Sequence, residues 1–372
     1  MKKIKRNRFI PFYVIACLLE YGLIAAQPAS TIRPPVLRDF SYFDLFFESP
    51  EPISIVAAGD LMMGSWIVDV LRETGVDYPF HGTAEIIQSA DVAIANLEAP
   101  FTASNEKYAN KKYIFKVPES FACAVKKAGF DVLNLANNHI LDYGKPGLME
   151  TLQILDSLGL YYSGAGLSVQ EACNPAVLTV KGRNIAFLGF SMTYPDEFWA
   201  TDTSCGTCYP HMARLKTTVA HAKKTSDLVV VSFHWGQEKS SMPRDYQILY
   251  AHAAIDCGAD LVLGHHPHVI QGLEWYRNRL IAYSLGNYVF GSFSKTATKS
   301  FLLKIDFSKD NELSAQVIPI DVDNQSVRFQ PRILSGTEKE VILDSLNVLS
   351  YDFNMGQRVI DKRGLLGIQS TL

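Results

Sequence analysis

The chain has 372 residues, 48% of them hydrophobic, enough to bury the core of one large domain or two moderate ones. Its 35 Lys and Arg nearly balance 38 Asp and Glu, for a net charge of -3. That balance, with no long Lys/Arg run beyond Arg8, argues against a nucleic-acid partner.

Lys2, Lys3, Lys5, Arg6 and Arg8 precede an apolar stretch over 9–26. A basic head followed by an apolar run predicts a secretion signal or an N-terminal membrane anchor over 1–26. Leu23-Ile24-Ala25-Ala26 offers small residues for cleavage, and Val14-Ile15-Ala16-Cys17 reads as a lipoprotein-type site with Cys17 lipidated. By the positive-inside rule, the rest of the chain then lies outside the cytoplasm, secreted or membrane-anchored. Residues 27–50 hold several prolines and no clear period, the pattern of a linker or arm.

From Ile53 onward, short apolar runs end in polar clusters. Residues 53–58 lead into Gly59-Asp60, 92–95 into Asn96-Leu97-Glu98, and 132–136 into Asn137-Asn138-His139. Residues 228–231 lead through Ser232 and Phe233 to His234. Residues 261–263 lead to Gly264-His265-His266-Pro267-His268, and 280–283 to Ser284-Leu285-Gly286-Asn287. Such runs, rich in Val, Ile and Leu and bounded by Gly, Asn or Asp, predict buried strands. Helical patterns cover 118–128, 145–158, 212–225 and 244–257. The alternation predicts an α/β fold with mostly parallel strands, and in such sheets sites form beyond the carboxyl ends of strands. Every polar cluster falls there. After Ser300, residues 301–307 and 314–320 predict antiparallel strands turned at Lys309-Asp310-Asn311. A main domain over 51–335 is then followed by a helix over 336–350 and a tail, together 336–372. Cys205 and Cys208 form a single CxxC, too little for a structural zinc site. It reads as a local disulfide or as two free loop thiols.

The clusters hold the Asp, Glu, Asn and His ligands that suit Zn, Mn or Fe. His266-Pro267-His268 places two imidazoles two residues apart just after a strand, with Pro267 holding the turn. His234 ends a strand before Trp235-Gly236, where glycine admits close backbone approach. Singly, Asp60 reads as a helix N-cap, Glu98 as a solvated loop residue and Asn138 as a turn residue. Their recurrence at strand ends favours one shared site. No Gly-x-Ser-x-Gly elbow, P-loop or dinucleotide fingerprint is present.

Six blocks over about 53–332 carry a family resemblance. They are Gly59-Asp60, Asn96-Leu97-Glu98, the stretch from Ala136 to Gly144, His234-Trp235-Gly236, Gly264-His265-His266-Pro267-His268-Val269 and Tyr283-Ser284-Leu285-Gly286-Asn287. At these residues the sequence resembles the CapA/PgsA-type capsule-biosynthesis proteins associated with poly-γ-glutamate, of the calcineurin-like metallophosphoesterase superfamily. The resemblance implies a four-layer αββα sandwich of metallo-dependent phosphatase type, with one or two divalent metal ions (Mn, Zn or Fe). It assigns Asp60 and His268 to a first metal, Glu98 to the bridging position, and Asn138, His234 and His266 to a second metal. It implies His139 as the general acid. Asn96, Asn137, Asp142, His265 and Asn287 are expected to contact substrate. Two departures stand out. Met62 holds the position of the usual first-motif His, and a thioether is a poor ligand for hard divalent ions. Glu98 replaces a shorter Asp.

The expectation is an extracytoplasmic metalloenzyme of capsule or poly-γ-glutamate production or release, hydrolysing a phosphoester, amide or ester linkage in an anionic polymer or peptide. It associates with the membrane through its N-terminus and with membrane synthase subunits. The rival readings are a metal-dependent peptide epimerase that abstracts a Cα proton, and a non-catalytic polymer-binding subunit of a synthase complex.

Overall fold

The computed structural model describes residues 51–367. The signal or anchor over 1–26 and the arm over 27–50 lie outside the described residues. Among the described residues, no helix is long and apolar enough to cross a membrane.

The strand Ile53–Met62 is central to the first sheet. On one side it pairs in parallel with Val92–Leu97, followed by Val132–Asn134 and Tyr161–Ser163. On the other side it pairs antiparallel with Lys299–Phe307, followed by Leu313–Asp321 and Arg332–Ile333. Asn287–Phe290 joins the end of the central strand in parallel, and Leu365–Leu366 pairs with Leu313–Asp321. The second sheet runs Leu273–Tyr276, Arg279–Ala282, Leu261–His265, Leu228–His234, Arg183–Ser191, Ala176–Val180. Its four inner strands are parallel and its two outer strands antiparallel. The hairpin Ala176–Val180 and Arg183–Ser191 was absent from the predicted elements. It turns at Lys181 (φ 49°) and Gly182 (φ 75°), the left-handed pair that two-residue hairpins use.

Side chains alternate across each strand. Ile53, Ile55 and Ala57 meet Leu228, Val230, Leu261 and Leu263 in a core between the sheets. Val56 and Ala58 face outward onto helices Ile67–Thr74, Ala84–Gln88, Ala122–Lys127 and Gly144–Ser157. Val229, Val231 and Phe233 face outward onto Met212–Thr225 and Asp245–Asp256. Burial on both faces explains the unbroken apolar runs in the sequence. The result is the four-layer αββα sandwich that the resemblance implies. The terminal helix Gly336–Ser350 sends Ile342, Leu343 and Leu346 into the inter-sheet core.

The CxxC does not close on itself. Cys208 is joined to Cys173, and Cys205 is free. Gly206–Thr207 is extended and pairs with Ala165–Gly166. The Cys208 N–H donates to the Gly164 carbonyl at 2.9 Å, which carries Cys208 toward Cys173 and away from its sequence neighbour.

Glycines let the strand exits converge. A Cβ at Gly59 would lie 1.9 Å from the Gly286 carbonyl oxygen, and one at Gly264 1.9 Å from that of Tyr283. Asp60, one residue on, donates its N–H to the Gly286 carbonyl at 3.0 Å.

Candidate metal centre

Parallel register sets the first ligands side by side. Asp60 lies opposite Asn96 and Asn287 in the first sheet, and His234 lies opposite His265 in the second. His266 (φ 93°) and His268 (φ 61°) both hold left-handed backbone around Pro267. Such strain in non-glycine residues marks a site whose surroundings over-determine it. It turns the two rings to centroids 5.9 Å apart, with His266 4.7 Å from His234.

Glu98 is the pivot. Its side chain is buried, and its Oε1 lies 3.6 Å from His234 Nε2 and 3.6 Å from His268 Nε2. That oxygen has no hydrogen-bond partner among the described residues, nor does the buried His266 Nδ1. A native protein rarely leaves buried acceptors unmatched. Asp60, Glu98 and His268 bring ligand atoms within 4.8 Å of one another, and so do Glu98, His234 and His266. Asn138 Oδ1 lies 3.0 Å from His234 Nε2 and adds an oxygen to the second group. Two candidate donor groups thus share Glu98, and the mixed oxygen and imidazole set is of a kind that suits Zn, Mn or Fe.

Of the residues expected to touch substrate, Asn287 lines the cleft beside His139 and His268, and the others make buried contacts around the candidate ligands. Asn96 and Asn137 are fully buried. Asn96 Nδ2 donates to Asp60 Oδ1 at 2.8 Å, and Asn137 Oδ1 accepts from the His139 and Ile140 N–H groups. His268 Nδ1 lies 2.9 Å from Asn287 Oδ1, so Asn287 fixes the ring and leaves Nε2 facing Glu98. His265 is buried, its Nδ1 3.4 Å from Asp60. Asp142 is buried too, and its Oδ2 accepts from His139 Nδ1 at 2.7 Å. That bond leaves His139 Nε2 as the free ring nitrogen. Phe115 packs on the ring at 4.7 Å between centroids.

The electrostatics prepare these groups for cations. Burial holds the His234 imidazole well below the usual histidine range, and His266 is pulled down to about 3 by burial and by His268. Both imidazoles are thereby held neutral at pH 7, the form in which histidine can ligate a metal. Burial, then the Asp60 charge, push Glu98 well above the usual carboxylate range. Burial opposes a charge on His268, but the Glu98 and Asp60 carboxylates override it and raise the group to about 10. Burial also opposes the Asp60 carboxylate, and His265 and His268 more than reverse that.

The bacterial capsule synthesis protein PGA_cap family matches residues 54–292. A capsule biosynthesis protein CapA of Bacillus anthracis is 33% identical over 336 residues, covering 88% of this chain and 79% of that protein. A PGA biosynthesis protein CapA of Bacillus subtilis is 32% identical, covering 86% of this chain and 82% of its own. The chain belongs to the PGA_cap family. A more distant relative is a probable polyglutamine synthesis accessory protein of Mycobacterium tuberculosis, 25% identical over 84% of this chain and 95% of that protein. Among solved structures, the NAD nucleotidase of Haemophilus influenzae aligns at a TM-score of 0.47 and 13% identity, over 80% of this chain and 62% of its own.

Two charged residues of this PGA_cap protein escaped the sequence reading. Lys111 is largely buried, with Nζ 3.0 Å from His139 Nδ1 and in contact with Asp142 and the Asn138 carbonyl. Nothing in its Lys-Lys-Tyr loop marks it. Glu238 was legible, being a carboxylate four residues beyond His234. Two clefts border the candidate centre. One, of about 780 Å³, is lined by Asn138, His266, Arg244, Tyr194, Tyr209 and Tyr246. The other, of about 440 Å³, is lined by His139, His268, Phe115, Phe293, Lys239 and Lys295. Glu238 borders both.

Proposed function

We propose that this PGA_cap protein is an extracytoplasmic, metal-dependent hydrolase that cuts a phosphoester, amide or ester linkage in an anionic polymer or peptide during capsule or poly-γ-glutamate production. The observation that carries the reading is the orphaned Glu98 Oε1, equidistant at 3.6 Å from two imidazole nitrogens in a buried cluster. Asp60, Glu98, Asn138, His234, His266 and His268 would hold the ions. Divalent ions there supply Lewis acidity and neutralise charge on the substrate oxygen. His139, fixed through Nδ1 by Asp142, presents Nε2 to the cleft and moves a proton there. Arg244 in one cleft and Lys239 and Lys295 in the other give an anionic chain cationic contacts on both sides. The Cys173–Cys208 disulfide supports an oxidising compartment. The basic head and apolar run over 1–26 support export and membrane association, and that attachment would place the site beside membrane synthase subunits.

The test is elemental analysis of purified protein, paired with hydrolysis of aryl phosphate esters and of poly-γ-glutamate. One or two equivalents of metal and chelator-sensitive turnover are expected, both lost in His234→Ala and His266→Ala. Unchanged metal content and turnover in those variants would sink the reading.

A further inference from the structure

The first donor group, Asp60, Glu98 and His268, is one ligand short of four. Met62 does not make up the difference. It is fully buried, and its Sδ accepts the Gly64 N–H at 3.2 Å. An exposed carboxylate lies next to His268. Glu238 sits on the loop after His234, which turns through Gly236 (φ 87°) and Lys239 (φ 63°). The Lys239 N–H donates to the Pro267 carbonyl at 2.8 Å. That bond pins the loop against the His266-Pro267-His268 turn. Glu238, His266 and His268 each offer a ligand atom, all within 4.8 Å of one another. His266 is buried, and its Nδ1 has no hydrogen-bond partner among the described residues.

We propose that Glu238 is a metal ligand, supplying from solvent the donor that Met62 cannot. The proposal rests on the metal-dependent reading above. A carboxylate is a hard donor suited to Mn or Zn, and Glu238 shares His268 with the Asp60 and Glu98 group, which places its oxygen beside the position that is one ligand short. Its exposure makes it an exchangeable ligand, one that a substrate oxyanion entering from either cleft would displace.

The experiment strips the full chain of metal and titrates it with MnCl2 by calorimetry, then loads it with Co2+ and records the visible absorption of the ligand field. Wild type, Glu238→Gln and His234→Ala are compared. Glu238→Gln is expected to weaken the affinity of one ion by about tenfold or more, the size of effect seen when a metal site loses a supporting group, and to change the Co2+ spectrum. Its metal-free unfolding temperature should match wild type, since Glu238 is exposed. Wild-type affinity and spectrum in Glu238→Gln, with binding lost in His234→Ala, would overturn the Glu238 assignment and leave the metal reading standing. Weaker affinity with an unchanged Co2+ spectrum would mark a distant charge effect, and would also overturn it. No binding by wild type would overturn both readings.

Discussion

His139 and Asp142 show how one residue is set by another. Burial lowers the His139 imidazole, and the Asp142 carboxylate partly restores it. Asp142→Asn removes that support and leaves the Lys111 charge beside the ring. The His139 pKa then falls further, so the pH limb governed by His139 moves to lower pH. The direction is the same for either role. As a base, His139 loses activity on the acid side of its pKa, and as an acid on the alkaline side, so the limb that moves identifies the role. The kcat should drop by about 100-fold or more, the usual worth of a positioned proton-transfer group, with KM little changed. Steady-state kinetics across pH on wild type and Asp142→Asn reads both quantities. An unmoved limb would release His139 from the mechanism. The sequence placed these two residues three apart in one motif, but nothing in it said that Asp142 would face the ring and not the substrate. Burial decides that, and burial is a property of the fold.

At the scale of elements, apolar runs located the strands of both sheets that end at the site, because a strand buried on both faces needs no polar alternation. The hairpin Ala176–Val180 and Arg183–Ser191 was harder to see. Its outer strand alternates buried and exposed residues, and its only punctuation is Lys181-Gly182. The cysteine pairing was hidden for a related reason. The sequence offered either a local Cys205–Cys208 disulfide or two free thiols, but pairing of Gly206–Thr207 with Ala165–Gly166 sends Cys208 to Cys173, 35 residues away. A loop of that length predicts that the disulfide contributes about 4 kcal/mol by limiting the unfolded chain. Urea unfolding of a Cys173→Ala, Cys208→Ala double variant should show a loss of that order under oxidising conditions. Cys205→Ala should unfold like wild type. The opposite ranking would restore the local pairing.

At the scale of the whole molecule, the two sheets close over a core that the C-terminal residues help to seal. Ile342, Leu343, Leu346, Val359, Ile360 and Leu366 are all buried in it. Removing a fully buried Leu or Ile side chain from a core typically costs about 2–5 kcal/mol, so losing this group exceeds the stability of most domains. A chain ending at Leu334 is expected to unfold or aggregate, measured by thermal melting and size-exclusion chromatography. A soluble, cooperatively melting truncation would show that the sandwich stands without its terminal helix. Sequence alone determined the alternation of strands and helices and the polar residues at strand ends, since hydrophobic period and glycine position are local quantities. It also carried the family, through motifs that survive as short strings. Only the tertiary structure decided that Glu98 lies between two imidazoles, that Lys111 and Glu238 lie beside the candidate site, and that Asn96 is buried against Asp60. Those facts depend on how two sheets stack and where loops from distant positions meet, and no local pattern encodes a distance across a core.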